Sequence, residues 1–123
     1  MLRFQTNIVI LLLNNDGYTI EKLIHGPDRA YNNIQMWRYH KAFEFFGAGL
    51  KQNREQATIG FAGQVKTRAE FEKTMEQINK ETNKIHFVEV IMPAMDAPQS
   101  LVLTIEGTRE FKKREQQEQP DEE

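Results

Sequence analysis

Residues Ile8–Leu13 read IVILLL, an apolar run with no polar residue at alternate positions. A strand with one face in water alternates, so a run without alternation is expected to be covered on both faces, as the central strands of parallel sheets are. The run is too short to cross a bilayer. It also ends in Asn14-Asn15-Asp16-Gly17 rather than a small-residue cleavage site, which argues against a secretory leader despite Arg3. One buried strand therefore demands helices on two sides and further strands beside it.

The rest of the chain supplies both. A helix is expected from about Thr19 to the Gly26-Pro27 stop, where Pro27 cannot continue the ladder. In YNNIQMWRYHKAFEFFGA, residues Ile34, Trp37, Ala42, Phe45 and Phe46 fall broadly at helical spacing before Gly47, and core packing of these aromatics is expected. KQNREQ reads as polar surface. ATIGFAGQV is a short strand weakened by Gly60 and Gly63. Thr67 and Glu70 form a capping box that opens a helix whose buried stripe is Phe71, Met75 and Ile78. IHFVEVIMP is a second strong strand, ended by Pro93, and a last helix starts in DAPQSLV. Alternating strands and helices predict an α/β fold, a partial parallel three-layer sheet. Ligands of such sheets sit at the carboxyl ends of strands, where Asn14–Gly17 lie.

Composition narrows the partners. A formal net charge of -2 gives no electrostatic basis for nucleic acid or an acidic membrane, and the aromatic-basic stretch WRYHKAFEFF is read as packing. With no cysteine there is neither a disulfide framework nor a thiolate metal site, in keeping with a cytoplasmic setting. His25, four residues after Glu21, lacks a third ligand for zinc, and His40 and His86 show no partner pattern and read as half-buried polar residues.

Two readings of Asn-Asp-Gly stay open on the residues alone. Asn and Gly tolerate left-handed backbone values, so the segment suits a sharp strand-to-helix turn. It also suits a hard cation: Mg²⁺ takes a few protein oxygens and completes its shell with phosphate and water. An asparagine side-chain oxygen and the Gly17 carbonyl would serve, with helix amides facing a phosphate.

NNDGYTIE followed by IHG, then YNNIQMW, FGA and VEVIMPAMDAPQSL, resembles the thiamine-diphosphate-dependent 2-oxo acid decarboxylases of the pyruvate and indolepyruvate decarboxylase type, across residues 7–103. The resemblance implies thiamine diphosphate and Mg²⁺ as cofactors. It assigns Asn15 (side chain) and Gly17 (carbonyl) to the metal, and Asn15, Asp16, Gly17, Tyr18, Thr19 and Ile20 to the diphosphate and thiazolium end. Glu21 is implied as the catalytic acid that meets the substrate carboxylate and relays protons after CO₂ leaves. Ile20, Glu21 and Ile24 would border a small substrate pocket, favouring pyruvate over an aromatic 2-oxo acid. The family assembles as dimers or tetramers, with each site built from two subunits.

The family motif opens with Gly-Asp-Gly, whose aspartate is the charged Mg²⁺ ligand, farther upstream than the 13 residues preceding Asn14 here. The family's amino-terminal domain, with its activating glutamate and paired histidines, is likewise outside this sequence. The chain is thus expected to be the carboxy-terminal cofactor-binding part (residues 1–103) of a longer enzyme, with Met1 matching an internal family position. Residues 104–123 read as a charged, partly disordered tail. Three strands would leave an unpaired apolar edge. The alternatives are a non-catalytic protein pairing through that edge with complete decarboxylase subunits, or a free-standing flavodoxin-like module.

Overall fold

The computed structural model describes residues 1–50 and 57–118, with side chains through residue 114; KQNREQ lies outside the described residues. The chain forms one compact unit of residues 1–14 and 35–92 and another of 15–34 and 93–123.

The first unit is a three-stranded parallel sheet of β1 (Val9–Asn14), β2 (Ile59–Val65) and β3 (Ile85–Ile91), in the order β1-β3-β2. β3 is the strand covered on both sides. Ile85, Phe87 and Phe43 form one buried cluster with Ile10 and Leu12 against it; Val65, Ile78 and Val88 form the other, with Phe61, Phe71 and Met75. Helix α3 (Arg68–Lys80) supplies Ile78 to the second face, and the short α2 (Ala42–Phe45) brings Phe43 to the first. The expected partial α/β parallel sheet is present. Thr67 caps α3 as read: its side chain accepts from the Glu70 amide at 3.2 Å, and Glu70 Oε2 accepts from the Thr67 amide at 3.1 Å.

Three expectations are corrected. Among the described residues β1 is an edge strand, not a central one. Its burial alternates: Ile10 and Leu12 pack against the cluster of Ile85 and Phe87, while on the other face Val9 and Leu11 are exposed and Leu13 is 66% exposed. The segment 31–46 is not one helix: it holds 3₁₀ turns at Ala30–Asn32 and Tyr39–Lys41 and then α2. The core residue there is Phe43, while Trp37, Phe45 and Phe46 are exposed, so spacing alone chose the wrong aromatics. With Tyr39, Leu12 and Phe87 they line an apolar cleft of about 700 Å³. Finally, His86 is fully buried rather than half-buried, whereas His40 is half-buried as read.

His86 is 1% exposed. Its Nδ1 accepts from the Phe61 amide at 2.9 Å, which leaves the proton on Nε2 to donate to the Glu81 carbonyl at 3.0 Å. Gly60 is explained by that ring: a Cβ there would overlap His86 Cε1 and stand 2.6 Å from Nδ1. The register of β2 against β3 also shifts between Ile59 and Ala62, around the same point.

In the second unit, α1 (Thr19–His25) ends at Gly26, whose φ of 104° no L-residue side chain favours. α4 runs Gln99–Glu118, so helix continues through much of the charged stretch after residue 103. Arg109 of α4 donates from Nε and one terminal nitrogen to the Ile24 carbonyl, at 3.2 and 2.8 Å, placing a cation at the negative end of α1. Among the described residues no helix is long and apolar enough to cross a membrane.

Candidate functional site

Asn15–Ile24 form a turn and short helix in the second unit. Asp16 (φ 56°) and Gly17 (φ 128°) take positive φ in succession, the backbone that Asn-Asp-Gly sequences tolerate. Gly17 is needed for room as well. A Cβ at this position would meet the Asn32 carbonyl at 3.1 Å and Lys22 Nζ at 3.3 Å.

The first side chain of the turn is oriented by a relay. Asn15 Nδ2 donates to Thr19 Oγ1 at 2.8 Å, and Thr19 Oγ1 donates to the Ala94 carbonyl at 2.7 Å. Thr19 is buried by this arrangement. The amide nitrogen of Asn15 is thereby committed, while its Oδ1 accepts no hydrogen bond from a described residue. An asparagine oxygen and a glycine carbonyl on a left-handed turn are neutral oxygens of the type Mg²⁺ accepts. The donor set therefore fits the neutral half of a Mg²⁺ shell. Among the described residues no group of three or more His, Cys, Asp or Glu is placed to hold a metal.

Glu21 lies in the first turn of α1 and is exposed, as are Tyr18, Ile20 and Ile24. Ile20 and Ile24 share a helix face by their spacing.

Two residues near the turn escaped the sequence reading. Lys22 is only 8% exposed and donates from Nζ to the Asp16 carbonyl at 3.1 Å, so a buried ammonium braces the turn. Asn32 is 2% exposed, and its Nδ2 has no partner among the described residues. Neither carries a local sequence cue, since an isolated lysine or asparagine has no period or motif spacing.

The strand end that leads into the turn is polar. Asn14 Nδ2 donates to Glu89 Oε1 at 2.7 Å. Glu89 Oε2 accepts from the His40 amide at 3.2 Å, His40 Nδ1 at 2.8 Å and Gln64 Nε2 at 3.1 Å. Glu89 is completely buried. Burial by itself would raise the carboxyl's pKa, but the hydrogen bonds from Asn14, His40 and Gln64 prevail and hold it below the ordinary 4.5.

No family model matches the chain. Curated proteins do. It is 41% identical over 97 residues to a pyruvate decarboxylase of Aspergillus parasiticus, covering 78% of this chain and 16% of that protein. Against pyruvate decarboxylase isozyme 2 of Saccharomyces cerevisiae the identity is 42% over 103 residues, or 83% of this chain and 17% of the relative. A pyruvate decarboxylase of Hanseniaspora uvarum gives 43% over 103 residues, with the same coverage. The chain spans about a sixth of the length of these relatives. Over the stretch that they share, this chain belongs to the pyruvate decarboxylase family.

Proposed function

We propose that the chain is the carboxy-terminal, cofactor-binding part of a thiamine-diphosphate- and Mg²⁺-dependent enzyme that converts a 2-oxo acid, pyruvate in preference, to an aldehyde and CO₂. The observation that carries this reading is the identity of about 40% to pyruvate decarboxylases, in a chain whose Asn15 amide is held by Thr19 with Oδ1 left available. Asn15 Oδ1 and the Gly17 carbonyl would hold the metal, and Asp16, Tyr18, Thr19 and Ile20 would line the cofactor. Bound there, the cofactor would supply a nucleophilic carbon and an electron sink for loss of CO₂.

The chain's own contributions are positional and acid-base. Ile20 and Ile24 present two β-branched side chains, which limit the acyl group to a small one. Glu21, on the turn of helix between them, exchanges a proton with the product carbon after CO₂ has left. The charged metal ligand, the rest of the pocket and the second subunit of a dimer or tetramer would come from the remainder of a complete enzyme. Such an enzyme is expected to work in the cytoplasm.

A chimaera tests this. Residues 7–103 replace the matching segment of a complete yeast pyruvate decarboxylase. Decarboxylation of pyruvate is expected, with Glu21→Gln cutting turnover by orders of magnitude while cofactor affinity stays nearly unchanged. Full turnover in the Glu21→Gln chimaera removes Glu21 from the chemistry.

A second reading has its own observation, the open edge of β1 with Val9, Leu11 and Leu13 exposed. In it, the chain pairs non-catalytically with complete decarboxylase subunits. A stoichiometric complex on co-purification favours it, and a stable monomer beside those subunits excludes it.

A further inference from the structure

We propose that Lys22 is a specificity-determining residue: its buried ammonium keeps a bare divalent cation off the Asn15–Gly17 turn and admits the metal together with a diphosphate. The inference rests on the cofactor reading above, and every residue that carries it lies within the compact unit that holds the turn.

Lysine is rarely buried, because an ammonium taken out of water needs a compensating partner. Lys22 is nevertheless 8% exposed. Its Nζ donates to the Asp16 carbonyl at 3.1 Å, and among the described residues no ion pair joins it to a carboxylate. A carbonyl satisfies one of the three N–H donors and neutralises none of the charge. An apolar side chain of similar length would fill the same space at lower cost. The charge is the part of this residue that packing does not explain.

Its position gives the charge a use. A Cβ on Gly17 would stand 3.3 Å from Lys22 Nζ and 3.5 Å from Cε, so the ammonium packs directly against the residue whose carbonyl is the candidate metal ligand. The oxygens offered to a metal at this turn, Asn15 Oδ1 and the Gly17 carbonyl, are neutral. Asp16 and Glu21, the acidic residues closest in sequence, are exposed, where water and salt screen their charge. Lys22 is buried and is screened much less. It therefore biases the turn towards positive potential. A bare Mg²⁺ meets that potential as a dication and is repelled. A Mg²⁺ bridged to a diphosphate meets it as part of a net anion and is attracted. One buried ammonium thus separates the two by the sign of their charge.

The test uses the full chain and two probes: Mn²⁺ alone, followed by electron paramagnetic resonance, and thiamine diphosphate with Mg²⁺, followed by calorimetry. Lys22→Met keeps the length and apolar packing of the side chain and removes the charge. It should bind Mn²⁺ about tenfold more tightly and the Mg²⁺–thiamine diphosphate pair about tenfold more weakly, a modest figure for one buried charge. Lys22→Gln retains an N–H donor without the charge and should follow Lys22→Met, whereas Lys22→Arg should follow the wild type. A residue that only braced the turn would lose both probes together when replaced, so a parallel loss overturns the proposal. Wild-type behaviour in Lys22→Gln also overturns it, by giving the role to the hydrogen bond. Uptake of the pair that is unchanged in all three variants overturns the proposal and leaves the cofactor reading intact. No uptake of the pair by any form, with Mn²⁺ gained only in Lys22→Met and Lys22→Gln, upholds the repulsion and refutes the cofactor reading for the isolated chain. No uptake of either probe by any form overturns both.

Discussion

Gly60→Ala offers the sharpest test of the packing at the start of β2. The added methyl would overlap His86 Cε1, stand 2.6 Å from Nδ1, and approach Glu81 Oε2 at 3.0 Å. The imidazole cannot swing aside cheaply. It is buried, and both ring nitrogens are held, by the Phe61 amide and the Glu81 carbonyl. Overpacking a full core costs about 1–3 kcal/mol, and losing a hydrogen bond to a buried group adds about 1–3 kcal/mol. A total of about 3 kcal/mol would lower Tm by roughly 12 °C or more, at about 4 °C or more per kcal/mol for a domain of this size. Urea unfolding followed by circular dichroism measures the loss directly. The reasoning also requires coupling: in a His86→Ala background the methyl has space, so Gly60→Ala should cost less than about 1 kcal/mol. A Gly60→Ala protein within about 0.5 kcal/mol of wild type would refute the close approach. So would an equal cost in both backgrounds.

Thr67→Ala should destabilise by about 1 kcal/mol, through the lost cap on the Glu70 amide, measurable as a lower urea midpoint. Gly17→Ala forces φ 128° on an L-residue at about 1–3 kcal/mol and meets Asn32 and Lys22; calorimetry should show Mg²⁺-dependent cofactor binding weakened or abolished. The pKa of Glu89 is lowered in the folded state, so the unfolded chain binds the extra proton first and stability rises with pH through this range. Its contribution is complete above about 4.5 and is lost as pH falls through the depressed value; Tm against pH should show this, and Glu89→Gln should flatten it.

What the sequence disclosed depended on whether the cue was local. The capping box at Thr67, the stop at Gly26 and the apolar run of β3 are each set by neighbours within a few residues, and each is found as read. The sharp turn at Asp16–Gly17 is likewise written in side-chain type. The order of strands was not legible. β1 and β3 are both apolar runs, and only long-range pairing decides that β3 sits between the others. Nor were the partners of His40 and His86, because Glu89 and Phe61 lie far along the chain and meet them only across the sheet. Phe43 and Phe45 are equally aromatic; a 3₁₀ turn at Tyr39–Lys41 changes the phase and decides which one faces inward. In the site, Asn15, Thr19 and Gly17 were legible as a group, whereas Lys22 was found only by its burial.

The edge position of β1 has a consequence during synthesis. β2, α3 and β3 follow one another directly, so they can associate as soon as they leave the ribosome. β1 is made earlier than any of them, yet among the described residues its ladder partner is β3; Asn14 and Glu89 are 75 residues apart. At roughly 5–20 residues per second, the strand waits for about 4–15 s with Ile8–Leu13 exposed. Nothing charged interrupts that stretch. Translation speed and holdase chaperones should therefore govern the yield of this chain more than the stability of its finished sheet does.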